Sequence, residues 1–160
     1  NTFRHDNIAG DHVSKGIRFD GYSCQANTGA FVYFNGQWKF LYENYSNYLD
    51  SAAINSGCGF AQEKLIHKGE KQRNINHNTG VNIFRALCER DGKLCVIESS
   101  SAIPMEEFKS RLIELKVCEA LYMDMGRGWN HAWYRVSKDS VKVLHPKSHN
   151  YCTNWITFYK

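Results

Sequence analysis

The sequence predicts an α+β fold, a single domain over residues 1–160 built on a mixed, mostly antiparallel β-sheet with a few packed helices. Three observations predict it. Apolar runs meet at Asn35-Gly36 and again at Asp91-Gly92, the dipeptides that two-residue hairpin turns favour. From Pro104 to Val117, Met105, Phe108, Leu112 and Leu115 recur at spacings of three and four, the period of a helix packed on one face. A strand from Glu119 to Met123 follows that helix, so the chain order is β-β-α-β.

The hairpins carry the most detail. Asn27 to Tyr42 is two aromatic and β-branched runs around Asn35-Gly36. Alternation puts Phe31 and Tyr33 on one face and Ala30, Val32 and Phe34 on the other, while the return strand groups Trp38, Phe40 and Tyr42. Val81 to Ser99 is a second hairpin, in which a turn at Asp91-Gly92 pairs Arg90 with Lys93 and Cys88 with Cys95. Cys88 and Cys95 then form a hydrogen-bonded pair, whose wider spacing disfavours a disulfide. Both strands are nearly all apolar, as suits a central position buried on two faces. Arg85 is the exception, and a charge there needs a partner.

The helix from Pro104 has its proline in the first turn and Glu106 and Glu107 at the positive end of the dipole. A second helix is expected over Asn44 to Ile54, where Tyr45, Tyr48, Leu49, Ala52 and Ala53 share a face. Asn1 to Lys15 reads as a loosely packed opening segment, and Gly16 to Gly21 as a short strand closing at Asp20-Gly21. Gly59 to Gly69 reads as a strand ending in a turn, and Lys71 to Asn78 as a polar loop. Strands are expected at Val141 to Leu144 and Asn154 to Tyr159. The predicted core is Phe31, Phe84, Leu87, Val96, Ile97, Phe108, Leu112, Leu115 and Leu121.

Composition narrows the function classes. The hydrophobic share of 42% and charged share of 22% are those of a globular domain. A net charge of +4 spread along the chain offers no basic stripe for nucleic acid. No apolar run approaches the ~20 residues of a membrane span. The start at Asn1 rather than Met leads us to expect a processed or trimmed product, with a segment lost upstream. Six cysteines, at 24, 58, 88, 95, 118 and 152, show no C-x-x-C spacing. An even count is compatible with disulfides, but four lie in apolar stretches, so mostly reduced, buried thiols are expected. His145, His149 and Cys152 have zinc-ligand types but no fourth ligand nearby, and no metal or cofactor site is assigned.

The stretch Ala120 to Arg135 is the first candidate for chemistry. An apolar run ends in a single carboxylate, Asp124, beside Gly126 and Gly128, which would let a ligand approach the backbone closely. Asp124 initiating a hairpin turn is the alternative reading.

At these residues the chain resembles the phosphodiester glycosidase family, in its shorter, Bacteroidetes-type branch. F-R-A-L-C-E-R-D-G-K-L-C-V-I-E-S and E-E-F-K-S-R-L-I-E-L-K-V-C-E-A-L-Y-M-D-M-G follow that family's order: an R-T-A-[IV]-G strand, its hairpin partner, a helix, and a strand entering D-G-G-G-S. Arg85 stands at the arginine of the first motif and Asp124 at the acid of the second. N-T-G-A-F-V-Y resembles the family's N-G-[GV]-F-[YF] strand. G-F-A-Q-E-K-L-I-H-K-G resembles its strand with a Q-S-G-P core, Gln62 in place and Glu63-Lys64 replacing Gly-Pro. The glycine run is reduced to Gly126 and Gly128, and Asn130 and His131 stand where a serine would follow the acid.

The resemblance implies a hydrolase cleaving an N-acetylglucosamine-like sugar from a sugar-1-phosphodiester, without a cofactor, in an exported bacterial protein, periplasmic or at the cell surface. Its alternative is a catalytically inactive glycan-binding protein of the same fold. The partner implied is a carbohydrate or sugar-phosphate, with neither nucleic acid nor membrane span. Breaking the anomeric C–O bond passes through an oxocarbenium-like state that needs a carboxylate, here Asp124. The phosphate needs a fixed fork of donors, here Arg85. Asn27, Gln62, Trp129, Asn130 and His131 would bind substrate, with Trp129 or Trp133 stacking on a sugar ring. For Arg85 the alternative is a structural ion pair with Glu98 across the hairpin. For Asn27 it is a turn, and for Trp133 a place in the core.

Overall fold

Four tight hairpins frame the described residues up to Met123. The computed structural model describes residues 8–21, 27–73, 80–123, 132–144 and 156–158, in two units, Asn1–Met123 and Asp124–Lys160. The first unit holds β1 (His12–Ser14), β2 (Ile17–Phe19), β3 (Thr28–Phe34), β4 (Gln37–Leu41), α1 (Tyr45–Ile54), β5 (Cys58–His67) and β6 (Glu70–Lys71). It continues with β7 (Val81–Asn82), β8 (Arg85–Arg90), β9 (Lys93–Glu98), β10 (Ile103–Pro104), α2 (Met105–Glu114) and β11 (Val117–Met123). Hairpins β1–β2, β3–β4, β5–β6 and β8–β9 turn at Lys15-Gly16, Asn35-Gly36, Lys68-Gly69 and Asp91-Gly92, every turn residue having a φ between 51° and 77°. Two positive φ values make a turn whose twist matches the strands it joins. Lysine at two of these positions is why the β1–β2 turn left no mark in the sequence. The described part of the opening segment, residues 8–15, is therefore not loose: β1 runs beside β5, with Val13 only 3% exposed.

β5 is the strand on which the sheet converges. Its first half pairs with β3 (Phe31 opposite Phe60, Gly29 opposite Gln62) and with β1 (Val13 opposite Gly59). Its second half pairs with β11 (Ala120 opposite Ile66) and with β6 (Lys71 opposite Ile66). β8 and then β9 complete the second half-sheet outward from β11. Every strand pair among the described residues is antiparallel. The join needs a break in alternation. One step in β11, from Ala120 to Leu121, spans two in β5, from Ile66 to Lys64. A bulge of this kind lets consecutive residues face the same side, and Leu65 and Ile66 are both fully buried in one cluster.

Each half-sheet carries one helix. α1 packs Leu49 and Ala52 on Val13 and Val32, with Tyr45, Tyr48 and Ala53 at the margin. α2 packs Met105, Phe108 and Leu112 on Leu65, Phe84, Ala86, Cys88 and Ala120. The opposite faces of both half-sheets meet in a third cluster of Phe31, Leu87 and Leu121, edged by Trp38, Phe40, Tyr42, Phe60, Leu94 and Met123. The face assignments made from alternation in β3 and β4 hold throughout. Full burial of each such leucine or phenylalanine contributes roughly 1.5–3 kcal/mol. Arg18 ties β2 to α1 through Asp50 at 2.7 Å and to Asp11 at 3.0 Å.

Several expectations need correction. Val96 is 48% exposed, because β9 ends the strand order rather than lying inside it, and Ile97 is half-buried against the α2 cluster. Leu115 is 39% exposed, since α2 stops at Glu114 and Lys116, with φ 60°, turns the chain into β11. Lys109 is buried on the helix instead, its Nζ donating to the Gln72 carbonyl at 3.1 Å and paired with Glu106. Pro104 precedes the helix and pairs with Val81 in a small β7–β10 ladder. Lys71 belongs to β6, and residues 74–78 of the expected loop lie outside the described residues. Cys58, Cys88, Cys95 and Cys118 are free thiols, but only Cys88 is buried and Cys58 and Cys118 are exposed. Cys118 falls where the β8–β11 register shifts between Val117 and Glu119.

In the second unit β12 (Ala132–Ser137) and β13 (Ser140–Leu144) form a hairpin, with Trp133 opposite Val143. Trp133 is 46% exposed rather than core. Residues 156–158 are not in a strand; the rest of the expected strand Asn154 to Tyr159 lies outside the described residues.

The approach of β3 to the chain entering β5 is set by glycine. A Cβ on Gly57 would stand 2.3 Å from the Tyr33 carbonyl oxygen, whereas one on Gly80 would meet nothing within 4 Å. Gly57→Ala should lower stability by about 1–3 kcal/mol, and Gly80→Ala should stay within about 0.5 kcal/mol of the parent. Urea denaturation of both variants is the check, and equal midpoints would refute the close approach.

Candidate functional site

Four of the residues singled out from sequence are described: Asn27, Gln62 and Arg85 in the first unit, and Trp133 in the second. Arg85 opens β8, facing the side on which Leu87 enters the shared cluster. The two-residue turn of this hairpin makes Arg85 and Glu98 directly opposite residues. Counting rungs from the turn makes theirs a non-hydrogen-bonded pair, the kind that brings side chains closest. Arg85 Nε donates to Glu98 Oε2 at 2.8 Å, and Nη2 reaches the same oxygen at 2.5 Å. The two side chains are 8% and 20% exposed. The ladder runs one pair further, as Ser99 N–H donates to the Phe84 carbonyl at 2.9 Å and Phe84 N–H to Ser99 Oγ at 3.0 Å. The cross-strand ion pair is therefore present, and it fixes the guanidinium at the end of a central strand.

Asn27 is buried at 8% exposure. Its carbonyl accepts from Lys64 N–H at 3.0 Å and its Nδ2 donates to the Lys64 carbonyl at 3.2 Å. Lys64 also lies opposite Leu121. Asn27 thus fastens the point where β5 passes from β3 to β11. Gln62 sits two rungs along the same β3–β5 ladder, opposite Gly29, and its Oε1 accepts from Glu63 N–H at 2.8 Å. Leu121 stands opposite Lys64 on one side and Leu87 on the other, so Gln62 and Arg85 each lie two residues along from this common row. Asp124, Trp129, Asn130 and His131 lie outside the described residues, as do His145, His149, Cys152 and Cys24.

Another polar group went unnoticed in the sequence. His67 Nδ1 is 3.0 Å from Glu119 Oε2, and Glu119 Oε1 accepts from Lys68 N–H at 3.2 Å. The Tyr42 ring packs against the His67 imidazole, centroids 4.1 Å apart, and its hydroxyl donates to the Ile66 carbonyl at 2.9 Å. These residues are 25 and 52 positions apart along the chain, and the pairing of β5 with β11 on one side and with the β3–β4 hairpin on the other brings them together, so no local spacing could have signalled them. Burial pushes the Tyr42 hydroxyl well above the usual tyrosine range, and the Glu119 carboxylate beside it adds to the effect. Burial likewise pushes the Cys88 thiol up, with Cys95 contributing, which keeps it an inert thiol.

Among the described residues no group of three or more His, Cys, Asp or Glu is placed to hold a metal ion. A shallow cavity of about 300 Å³ is lined by Lys15, Tyr33, Phe34, Asn35, Asn55, Ser56, Gly57 and Cys58, none of them a candidate for binding or catalysis from the sequence. Although Cys58 is exposed, partial burial raises its thiol as well, which disfavours a nucleophile there. No family model, curated protein or solved structure matches the chain.

The Tyr42 environment gives a pH dependence of known sign. Folding holds the hydroxyl neutral, so its contribution is fully present below the unfolded tyrosine pKa of about 10 and is lost as pH rises above it. Tyr42→Phe should cost about 1 kcal/mol at pH 7. The gap between variant and parent should narrow in urea titrations from pH 9 to 11. A gap constant over that range would show that Tyr42 ionises as freely in the fold as in the unfolded chain.

Proposed function

We propose that this chain is a hydrolase that releases an N-acetylglucosamine-like sugar from a sugar-1-phosphodiester, with Arg85 binding the phosphate and Asp124 supplying the carboxylate. The observation that carries the reading is Arg85 itself. A guanidinium almost wholly removed from water at the end of a central strand is costly unless charged partners hold it, and Glu98 does so by accepting from two of its nitrogens. An oriented guanidinium is the group best matched to a phosphate, because its donors lie in one plane at fixed angles. Asp124 enters from the sequence resemblance, and it directly follows Met123, the residue opposite Arg85 in the β8–β11 register.

In this reaction the anomeric C–O bond breaks and its electron pair leaves with the phosphate, already a good leaving group. Positive charge develops on the sugar ring, and Asp124 stabilises it, either as nucleophile or as base for the attacking water. Water supplies the hydroxyl of the released sugar and its proton completes the phosphomonoester. Arg85 offsets the charge gathering on the departing oxygens. Asn27, Gln62, Asn130 and His131 are assigned to sugar hydroxyls and Trp129 to the sugar face; for Asn27 the amide already bonded to Lys64 makes the role secondary to its structural one. An exported, periplasmic or surface location belongs to the same proposal.

A glycan-binding role without chemistry is the second reading, favoured by the exposure of Trp133 and Tyr134 on β12, where rings are available to stack on sugars. The two separate on one set of variants assayed with N-acetylglucosamine phosphodiesters. For the hydrolase, Asp124→Asn should abolish turnover with the fold intact, and Arg85→Lys should lower kcat/KM by about ten- to a hundredfold, since a point charge cannot replace a planar fork. For the binding protein, no sugar is released, Asp124→Asn binds as the parent does, and Trp129→Ala or Trp133→Ala weakens binding.

A further inference from the structure

We propose that Glu98 is a positioning residue for phosphate recognition: it sets the plane of the Arg85 guanidinium, and so determines how tightly the phosphate of the substrate is held. The proposal rests on the hydrolase reading above and extends it to a residue that the sequence suggested only as a structural partner. Its basis is the form of the pair. Nε and Nη2 of Arg85 converge on a single oxygen, Glu98 Oε2, at 2.8 and 2.5 Å. Two bonds from one edge of the guanidinium keep that oxygen in its plane and set which edge faces Glu98, which one bond would leave free. The backbone beneath is equally constrained, because the Phe84–Ser99 bonds close the ladder just beyond the pair. Exposed pairs elsewhere differ: Arg111 reaches Glu114 and Glu107 from a side chain 61% exposed, where solvent screens the interaction.

Two effects of Glu98 on a bound phosphate oppose each other. Its negative charge repels the anion, while its hold on Arg85 removes the entropy cost of ordering a long side chain at binding. Repulsion acts across the guanidinium and is partly cancelled by it, whereas the ordering acts directly on the donors, so we expect positioning to dominate. Removing the carboxylate charge should therefore weaken phosphate binding rather than strengthen it. Were Glu98 only a structural partner, its loss would lower stability and leave the affinity of the folded protein unchanged.

The test is binding of N-acetylglucosamine 1-phosphate by calorimetry, with thermal denaturation alongside, for the parent, Glu98→Gln, Arg85→Gln and the double variant. Glu98→Gln should raise Kd about tenfold or more, the scale of a charged hydrogen bond. In the Arg85→Gln background it should add nothing, because Glu98 acts through Arg85. Glu98→Asp keeps the charge but draws it back from the guanidinium; it should raise KM for a phosphodiester more than it lowers kcat, and it serves if Glu98→Gln does not fold. Unchanged or tighter binding by Glu98→Gln, or an equal effect with and without Arg85, overturns the proposal. A parent that binds the sugar phosphate through Arg85 but hydrolyses no diester fails the hydrolase reading alone, and Glu98 is then judged on Kd. A parent that binds no sugar phosphate overturns both.

Discussion

The first 123 residues depend on β5 serving two half-sheets at once. A strand has two edges, and here each edge is divided lengthwise, so that four strands pair with one. The backbone groups at the crossing still need partners, since a buried amide left without one is costly. Asn27 meets that need by bonding both the N–H and the carbonyl of Lys64. The bulge at Leu65 then redirects the strand so that its second half presents apolar residues to α2 instead of α1. Small residues complete the device, because Gly57 and Gly59 let α1 and β3 come close where any side chain would collide.

The two polar groups on β11 follow from this geometry. Glu119, near its start, meets His67 across β5, and Met123, at its end, stands opposite Arg85 across β8. Each places a charged or titratable group where a strand emerges from the apolar interior. Such pairs add little net stability, because desolvation offsets most of the attraction. Their value is positional: each side chain is held by a partner on the next strand. That is the property a phosphate-binding arginine requires, and at the Glu119 end it shapes the environment of Tyr42.

The hairpins show how local chemistry and tertiary structure divide the work. Asn35-Gly36 and Asp91-Gly92 named their turns, and with them the registers, down to Cys88 opposite Cys95 and Arg85 opposite Glu98. The two lysine-glycine turns adopt the same geometry without the same signal, because lysine enters the left-handed region only where the strands on either side hold it there. Both helices were legible from their period, yet Lys109 is buried and Leu115 exposed, which depends on what lies across from α2 and where it stops.

What the sequence by itself determined is local: turn type, hairpin register, helix face, and the cross-strand pairing of Arg85 with Glu98, all set by neighbours within some fifteen residues. Tertiary structure alone decided which strand is central and which is an edge, and so why Val96 is exposed. It also decided the bulge in β5, the two hydrogen bonds between Asn27 and Lys64, and the meeting of Tyr42, His67 and Glu119. Each joins residues from distant parts of the chain, and only closure of β5 against β3 and β11 selects them, because a strand's own sequence does not specify its neighbours.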